Sequence, residues 1–205
     1  MYFIKTPTLL KSIFSQQIWS IPVPDKSVFL TFDDGPTPGV TDWVLETLKK
    51  FEAQATFFLV GKNAERNPGL VQKILNEGHG IGNHTYTHLN GWRTSLASYS
   101  KSTLKCGEVV PGNLFRPPYG RITRAQTRRL GNRYKIIMWD VLSGDFDTEL
   151  PKEKVVKNVL NNTEAGSIIV FHDSIKAEPR LKYALPRVLN YLQDEGYSFP
   201  KIEMK

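Results

Sequence analysis

The chain has 205 residues, 40% of them hydrophobic and 23% charged, enough for one globular domain with its own core. Its single cysteine, Cys106, excludes an internal disulfide framework and any multi-cysteine metal site, and no apolar run reaches the length of a membrane span. The net charge of +7 suits an anionic partner, but the basic residues are scattered, their densest cluster (Arg121, Arg124, Arg128, Arg129) fits the solvated face of a short helix, and no nucleic-acid motif is present; nucleic acid is therefore not the expected partner.

Residues 1–27 read as an N-terminal extension packed on a domain that spans 28–205. Lys5 and Lys11 leave too short an apolar run for a signal-peptide core, and no small-residue cleavage site follows. Residues 28–32 are a buried strand that stops at Asp33-Asp34-Gly35-Pro36. A helix over 41–51 puts Val44, Leu45, Leu48 and Phe51 on one face, and a second strand covers 55–60. Asn67-Pro68 opens the next helix as cap and first position, with Leu70, Val71, Ile74 and Leu75 inward and Gly78 at its end. A short extended piece reaches Asn83, a helix near 95–108 contains Cys106, and an extended piece covers 114–116. A short helix then leads to the strand "YKIIMW" (134–139), followed by a helix over 151–161, a strand over 167–171 and a long helix to about Glu195. Pro186 is expected to kink that last helix or to start its second half.

Strands that are nearly continuous in apolar residues and alternate with helices predict a parallel sheet with the helices outside. No G-x-G-x-x-G follows a strand, which argues against a dinucleotide fold. The polar residues collect after the strands: Asp33-Asp34 after the first, "HTYTH" with His84 and His88 after the third, "RPPYG" with Arg116 and Tyr119 after the fourth. Asp140, Asp145 and Asp147 follow the fifth, and His172-Asp173 the sixth. In parallel α/β folds ligands bind at the carboxyl ends of the strands, so the clusters are expected to meet there.

Two histidines four apart suit a transition metal, and two neutral imidazoles with one carboxylate leave positions open for water and substrate. One of the paired aspartates would be that carboxylate and the other a general base acting on the water. The bland alternatives are turn chemistry for Asp33-Asp34 and solvated histidines for His84 and His88. His79 reads as a hydrogen-bonded structural histidine, Asp173 as a turn cap, and Trp92 as either a groove residue or a packed core residue.

Taken in order, "TFDDGP", "HTYTH", "RPPY", the aspartates after Trp139 and "IVFH" resemble the five motifs of the polysaccharide deacetylases, the NodB-homology domains of carbohydrate esterase family four. The resemblance covers about residues 28–172. It implies a distorted (β/α) barrel of about seven parallel strands in a single domain. It also implies an activity that removes N-acetyl or O-acetyl groups from a sugar polymer, with a divalent metal: Zn2+ first, Co2+, Ni2+ or Mn2+ as alternatives.

Position by position, the resemblance implies Asp33 as base, Asp34, His84 and His88 as metal ligands, and Arg116 as the residue that holds Asp33. The backbone of Tyr119 would stabilise the oxyanion, His172 would be the general acid oriented by Asp145, and Val170 would line the acetyl pocket. The fourth segment departs from the family pattern, with Leu142 and Phe146 where a further acid and a tryptophan are usual. Phe146 keeps an aromatic wall for the sugar without an indole N–H, and Asp140 and Asp147 remain alternatives to Asp145.

The expected partner is thus a carbohydrate, chitin-like or peptidoglycan glycan. Two other readings are a metal-dependent amidase on a small non-sugar amide and a catalytically silent carbohydrate-binding module. By sequence the compartment is cytoplasmic, with the cell envelope raised by the substrate class.

Overall fold

The structure is a computed structural model, and it describes residues 2–204. Seven strands form one sheet: β1 (Phe29–Asp33), β2 (Thr56–Leu59), β3 (Gly80–Asn83), β4 (Leu114–Phe115), β5 (Lys135–Ile136), β6 (Val141–Leu142) and β7 (Ile168–His172). Their order is β5-β4-β3-β2-β1-β7-β6, and every neighbouring pair is parallel. β1, inside the sheet between β2 and β7, is buried along its whole length, as its run of apolar residues requires.

The two edge strands belong to one short stretch of chain. Ile137 N–H donates to Phe115 O at 2.8 Å, and three residues later Asp140 N–H donates to Ile168 O at 3.0 Å. Residues 135–142 therefore pair with β4 at their start and with β7 at their end, which curls the sheet into the expected distorted barrel. The N-terminal segment follows the same seam. Ile18 N–H donates to Ile136 O, Thr6 N–H to Asp140 O, and Leu142 N–H to Ile4 O, at 2.8, 2.9 and 2.8 Å.

Helices pack around the sheet: α1 (Thr8–Ile13), α2 (Val40–Lys50), α3 (Gly61–Arg66), α4 (Pro68–Asn76), α5 (Leu96–Val109), α6 (Arg124–Gly131), α7 (Lys152–Leu160) and α8 (Glu178–Asp194). Val44, Leu45 and Leu48 of α2 are buried as their spacing predicts. Ser95 caps α5 by accepting from Ser98 N–H at 3.2 Å, and Cys106 on that helix is buried. Three details differ from the sequence reading. α3 was not expected, and Asn67 donates its side-chain amide to Asn63 O of that helix at 2.9 Å instead of capping α4. Leu75 faces outward, 38% exposed, while Val71 and Ile74 are buried. α8 runs on through Pro186, because the buried stripe Leu181, Leu185, Val188, Leu189 and Leu192 outweighs one missing backbone hydrogen bond.

Candidate active site

Parallel pairing in register sets the site. Asp33 at the end of β1 lies opposite His172 at the end of β7, and Asn83, just before His84, lies opposite Phe115, just before Arg116. Asp34, Thr85, His88 and Tyr119, all around this end of the sheet, have positive φ. Strained backbone of this kind persists only where its surroundings over-determine it. For the aspartate turn the surroundings include the buried Asp173, whose Oδ1 accepts from Gly35 N–H at 3.0 Å and whose Oδ2 accepts from Thr41 Oγ1 at 2.5 Å. A Cβ on Gly35 would lie 2.0 Å from that carboxylate, so only glycine fits.

Among the described residues, Asp34, His84 and His88 present donor atoms within 4.8 Å of one another. Asp34 Oδ1 is 3.0 Å from His88 Nε2 and 3.7 Å from His84 Nε2. His84 Nδ1 lies 2.8 Å from the Arg116 carbonyl, which can only accept, so the proton sits on Nδ1 and the lone pair of Nε2 faces the cluster. Burial drives the His84 pKa down to about 4, against the pull of Asp33 and Asp34, and keeps the ring neutral. Burial opposes charge on Asp34, but the hydrogen bond from His88 and the charge of His172 hold its carboxyl far below the usual range. Two imidazoles and one ionised carboxylate, with space on one side, fit a divalent cation that keeps open positions. On that side a cleft of about 460 Å³ has Asp34 and His88 in its floor and Lys62, Asn63 and Ile175 in its walls.

Asp33 and Asp34 have different surroundings. The fully buried Arg116 donates from Nη1 to Asp33 Oδ1 at 2.7 Å and to Thr31 Oγ1 at 2.8 Å. Its Nε donates to Ile137 O at 3.2 Å, its Nη2 to Met138 O at 2.9 Å, and its guanidinium stacks 4.0 Å over Phe58. Asp33 Oδ2 is left facing the cluster, 4.0 Å from His84 Nε2. A carboxylate held this way, with one oxygen turned to the cluster, can accept a proton from a water there.

His172 is held by Asp145 twice: its Nδ1 is 2.8 Å from Oδ1, and its backbone N–H donates to Oδ2 at 2.8 Å. Asp145 is itself fully buried, and Arg180 Nε donates to its backbone carbonyl at 2.7 Å. Burial opposes a charged imidazole, yet the Asp145 charge and hydrogen bond, with Asp34 and Asp33 beyond, raise the His172 pKa to about 9. The site thus pairs a group able to take a proton with one able to give it.

A family profile described as polysaccharide deacetylase matches residues 20–136. The chain belongs to the polysaccharide deacetylases. It is 34% identical to a peptidoglycan-N-acetylglucosamine deacetylase of Bacillus cereus over 88% of both chains. It is also 36% identical to a chitooligosaccharide deacetylase of Azorhizobium caulinodans, over 72% of this chain and 73% of that one. The solved structure of the Bc1960 peptidoglycan N-acetylglucosamine deacetylase superposes with a TM-score of 0.88 at 32% identity, covering 96% of this chain and 95% of that one.

The remaining residues singled out in this polysaccharide deacetylase are placed as follows. Tyr119 is exposed, with its Oη 3.1 Å from His88 Nδ1. Phe146 meets the His172 ring edge-on at 5.1 Å, and Val170 is fully buried two residues before His172 on β7. Asp140 is not at this end of the sheet. Its carboxylate is taken by Lys5 at 2.6 Å, Lys11 at 2.5 Å and Ser167 at 2.6 Å, next to the start of β7. Asp147 is bonded by Tyr2 Oη at 2.8 Å, which leaves Asp145 as the carboxylate on His172. His79 is buried and accepts from Ala55 N–H at 3.2 Å; burial pushes its pKa to about 4. Trp92 is 66% exposed beneath Arg121 and is not a core residue. Sequence reasoning missed Tyr2, Thr31 and Arg180, whose contacts span from 35 to 145 positions and leave no local signal.

Proposed function

We propose that this chain is a metal-dependent hydrolase that removes acetyl groups, N-acetyl first, from a chitin-like or peptidoglycan glycan. Asp34, His84 and His88 would hold a divalent cation, zinc by the neutral-nitrogen and carboxylate donor set. When bound, the cation polarises the acetyl carbonyl and acidifies the attacking water. Asp33 takes the proton as the water oxygen bonds to the acetyl carbon, and Arg116 holds Asp33 in place. The backbone N–H of Tyr119 steadies the developing oxyanion. His172 gives its proton to the nitrogen as the C–N bond breaks, releasing acetate and the free amine; Asp33 then gives up its proton to solvent, and His172, oriented and favoured as imidazolium by Asp145, takes one back. Val170 closes the acetyl pocket, and Phe146 offers an aromatic face to the sugar. Residues 28–205 form the catalytic domain, with residues 1–27 an extension packed on it.

The observation that carries this reading is the pairing of Asp33 with His172 across β1 and β7, one set to accept a proton and the other to donate it. A silent carbohydrate binder needs neither. The relatives' names support peptidoglycan or chitooligosaccharide as substrate, and peptidoglycan would place the activity at the cell envelope. Among the described residues no helix is long and apolar enough to cross a membrane. The test is acetate release from chitooligosaccharides, peptidoglycan fragments and acetylxylan, beside hydrolysis of cyclic amides, before and after chelation and zinc addition. Acetate from a sugar, lost on chelation and restored by zinc, is expected. Turnover of cyclic amides alone, or acetate release indifferent to chelation, would overturn the proposal.

A further inference from the structure

Tyr2 is far from the aspartate turn in sequence, yet the N-terminal segment carries it to the His172 side of the site. Leu142 N–H donates to Ile4 O at 2.8 Å, Thr6 N–H donates to Asp140 O at 2.9 Å, and Lys5 and Lys11 grip the buried Asp140 carboxylate. These contacts fix the backbone that leads to Tyr2. Its ring then packs on Phe146 at 5.1 Å, tilted by 55°, and Phe146 packs edge-on against His172 at 5.1 Å. The Tyr2 hydroxyl donates to Asp147 Oδ2 at 2.8 Å. Burial, and then Asp147, push the Tyr2 pKa up to about 12, so this donor persists at any working pH. With both ends held, 36% of the residue still faces solvent.

From these contacts we infer that Tyr2 is a substrate-binding residue, an aromatic platform on which a pyranose ring of the glycan stacks two units beyond the sugar that loses its acetyl group. The inference rests on the deacetylase reading above. The row runs from the half-buried His172 and Phe146 to the exposed Tyr2, and two ring contacts of 5.1 Å each keep Tyr2 close enough to the proton donor for a glycan to reach it within two sugars. An aromatic ring suits that task because its large, rigid face binds apolar C–H surface at little entropic loss. Asp147 belongs to the same device as a positioning residue, since it fixes the tilt of the ring without facing the sugar itself.

The test compares kcat and KM of wild type, Tyr2→Ala and Tyr2→Trp on β-1,4-linked N-acetylglucosamine oligomers and on glycan chains from peptidoglycan, each as disaccharide and hexasaccharide. Metal content and thermal midpoint are measured on the same samples. For Tyr2→Ala, KM on the hexasaccharide should rise about fivefold, the factor of one lost aromatic contact, while kcat holds. KM on the disaccharide, too short to reach Tyr2, should not move, and Tyr2→Trp should restore the hexasaccharide value. An unchanged hexasaccharide KM in Tyr2→Ala overturns the inference. So does a fall in kcat alone, which would mean that Tyr2 only braces Phe146 and His172. If Tyr2→Ala lowers the thermal midpoint, hexasaccharide affinity is measured by calorimetry at low temperature in Asp33→Asn with and without Tyr2→Ala, and equal affinities overturn it. Wild type that releases no acetate from either glycan refutes the deacetylase reading itself, an outcome distinct from an active enzyme indifferent to Tyr2.

Discussion

Replacing Asp145 with asparagine removes one charge from the site and almost no volume. His172 titrates at about 9 against an ordinary 6.5, a bias of about 3 kcal/mol towards the imidazolium. Burial is the largest single influence on that ring and acts downward; Asp145 supplies the two largest influences that act upward, its charge and its hydrogen bond. Without the charge, the His172 pKa should fall by about two units, to near neutrality. A general acid works below its pKa and fails above it, so the loss shows on the alkaline side. At pH 8 the protonated fraction drops from about nine-tenths to about one-tenth, a rate loss of about tenfold before any loss of orientation. A bound dication would offset the Asp34 charge and lower the alkaline limb in both proteins, so the difference between them is the quantity to read. The assay is kcat/KM for acetate release between about pH 5 and pH 10, with metal content measured in parallel. A limb that stays in place in Asp145→Asn while His172→Ala is inactive would refute the argument.

Other expectations concern the cation site and two buried ion pairs. His84→Ala should lose stoichiometric metal and nearly all activity, and unchanged occupancy by elemental analysis would remove His84 from the ligand set. Asp33→Asn should keep metal and abolish turnover, whereas Asp34→Asn should weaken metal binding itself; equal metal loss in both would end the division of roles. Arg116→Ala strands Asp33 and two backbone carbonyls in the interior and should destabilise the fold by about 3–5 kcal/mol in denaturant titration. A loss under about 1 kcal/mol would show that water replaces the guanidinium there. Lys5→Ala with Lys11→Ala leaves the Asp140 carboxylate buried beside Ser167 alone. Burial opposes that charge, but the two lysines hold the Asp140 pKa below its usual 3.8. Their contribution is present above about pH 4 and fades as the pH falls through the lowered folded value, so the double variant should lose stability at pH 7 and little at pH 3. An equal loss at both pH values would mean the lysines act through packing alone.

The alternation of apolar strands with helices, and the collection of polar residues after the strands, are local patterns, and they sufficed to anticipate a parallel sheet with its site at the carboxyl ends; closure into a barrel was implied only by the family resemblance. Asp33, Asp34, His84, His88, Arg116 and His172 could be named because each ends a strand or sits in the loop behind one and falls within a motif of the family the sequence resembles. The sequence left open which aspartate meets His172, since Asp140, Asp145 and Asp147 lie within eight positions of one another. The backbone decides it by carrying Asp140 to the opposite end of the sheet and turning Asp147 to Tyr2. The short helix α3 escaped notice because six residues are too few for a period to declare itself. Where residues 2–27 pack was equally hidden. Their contacts with residues 136–142 join stretches more than a hundred positions apart, and only closure of the sheet brings those edges together. Periodicity in a sequence reports which face of an element is buried, whereas the partner across that face is chosen by packing of the whole chain.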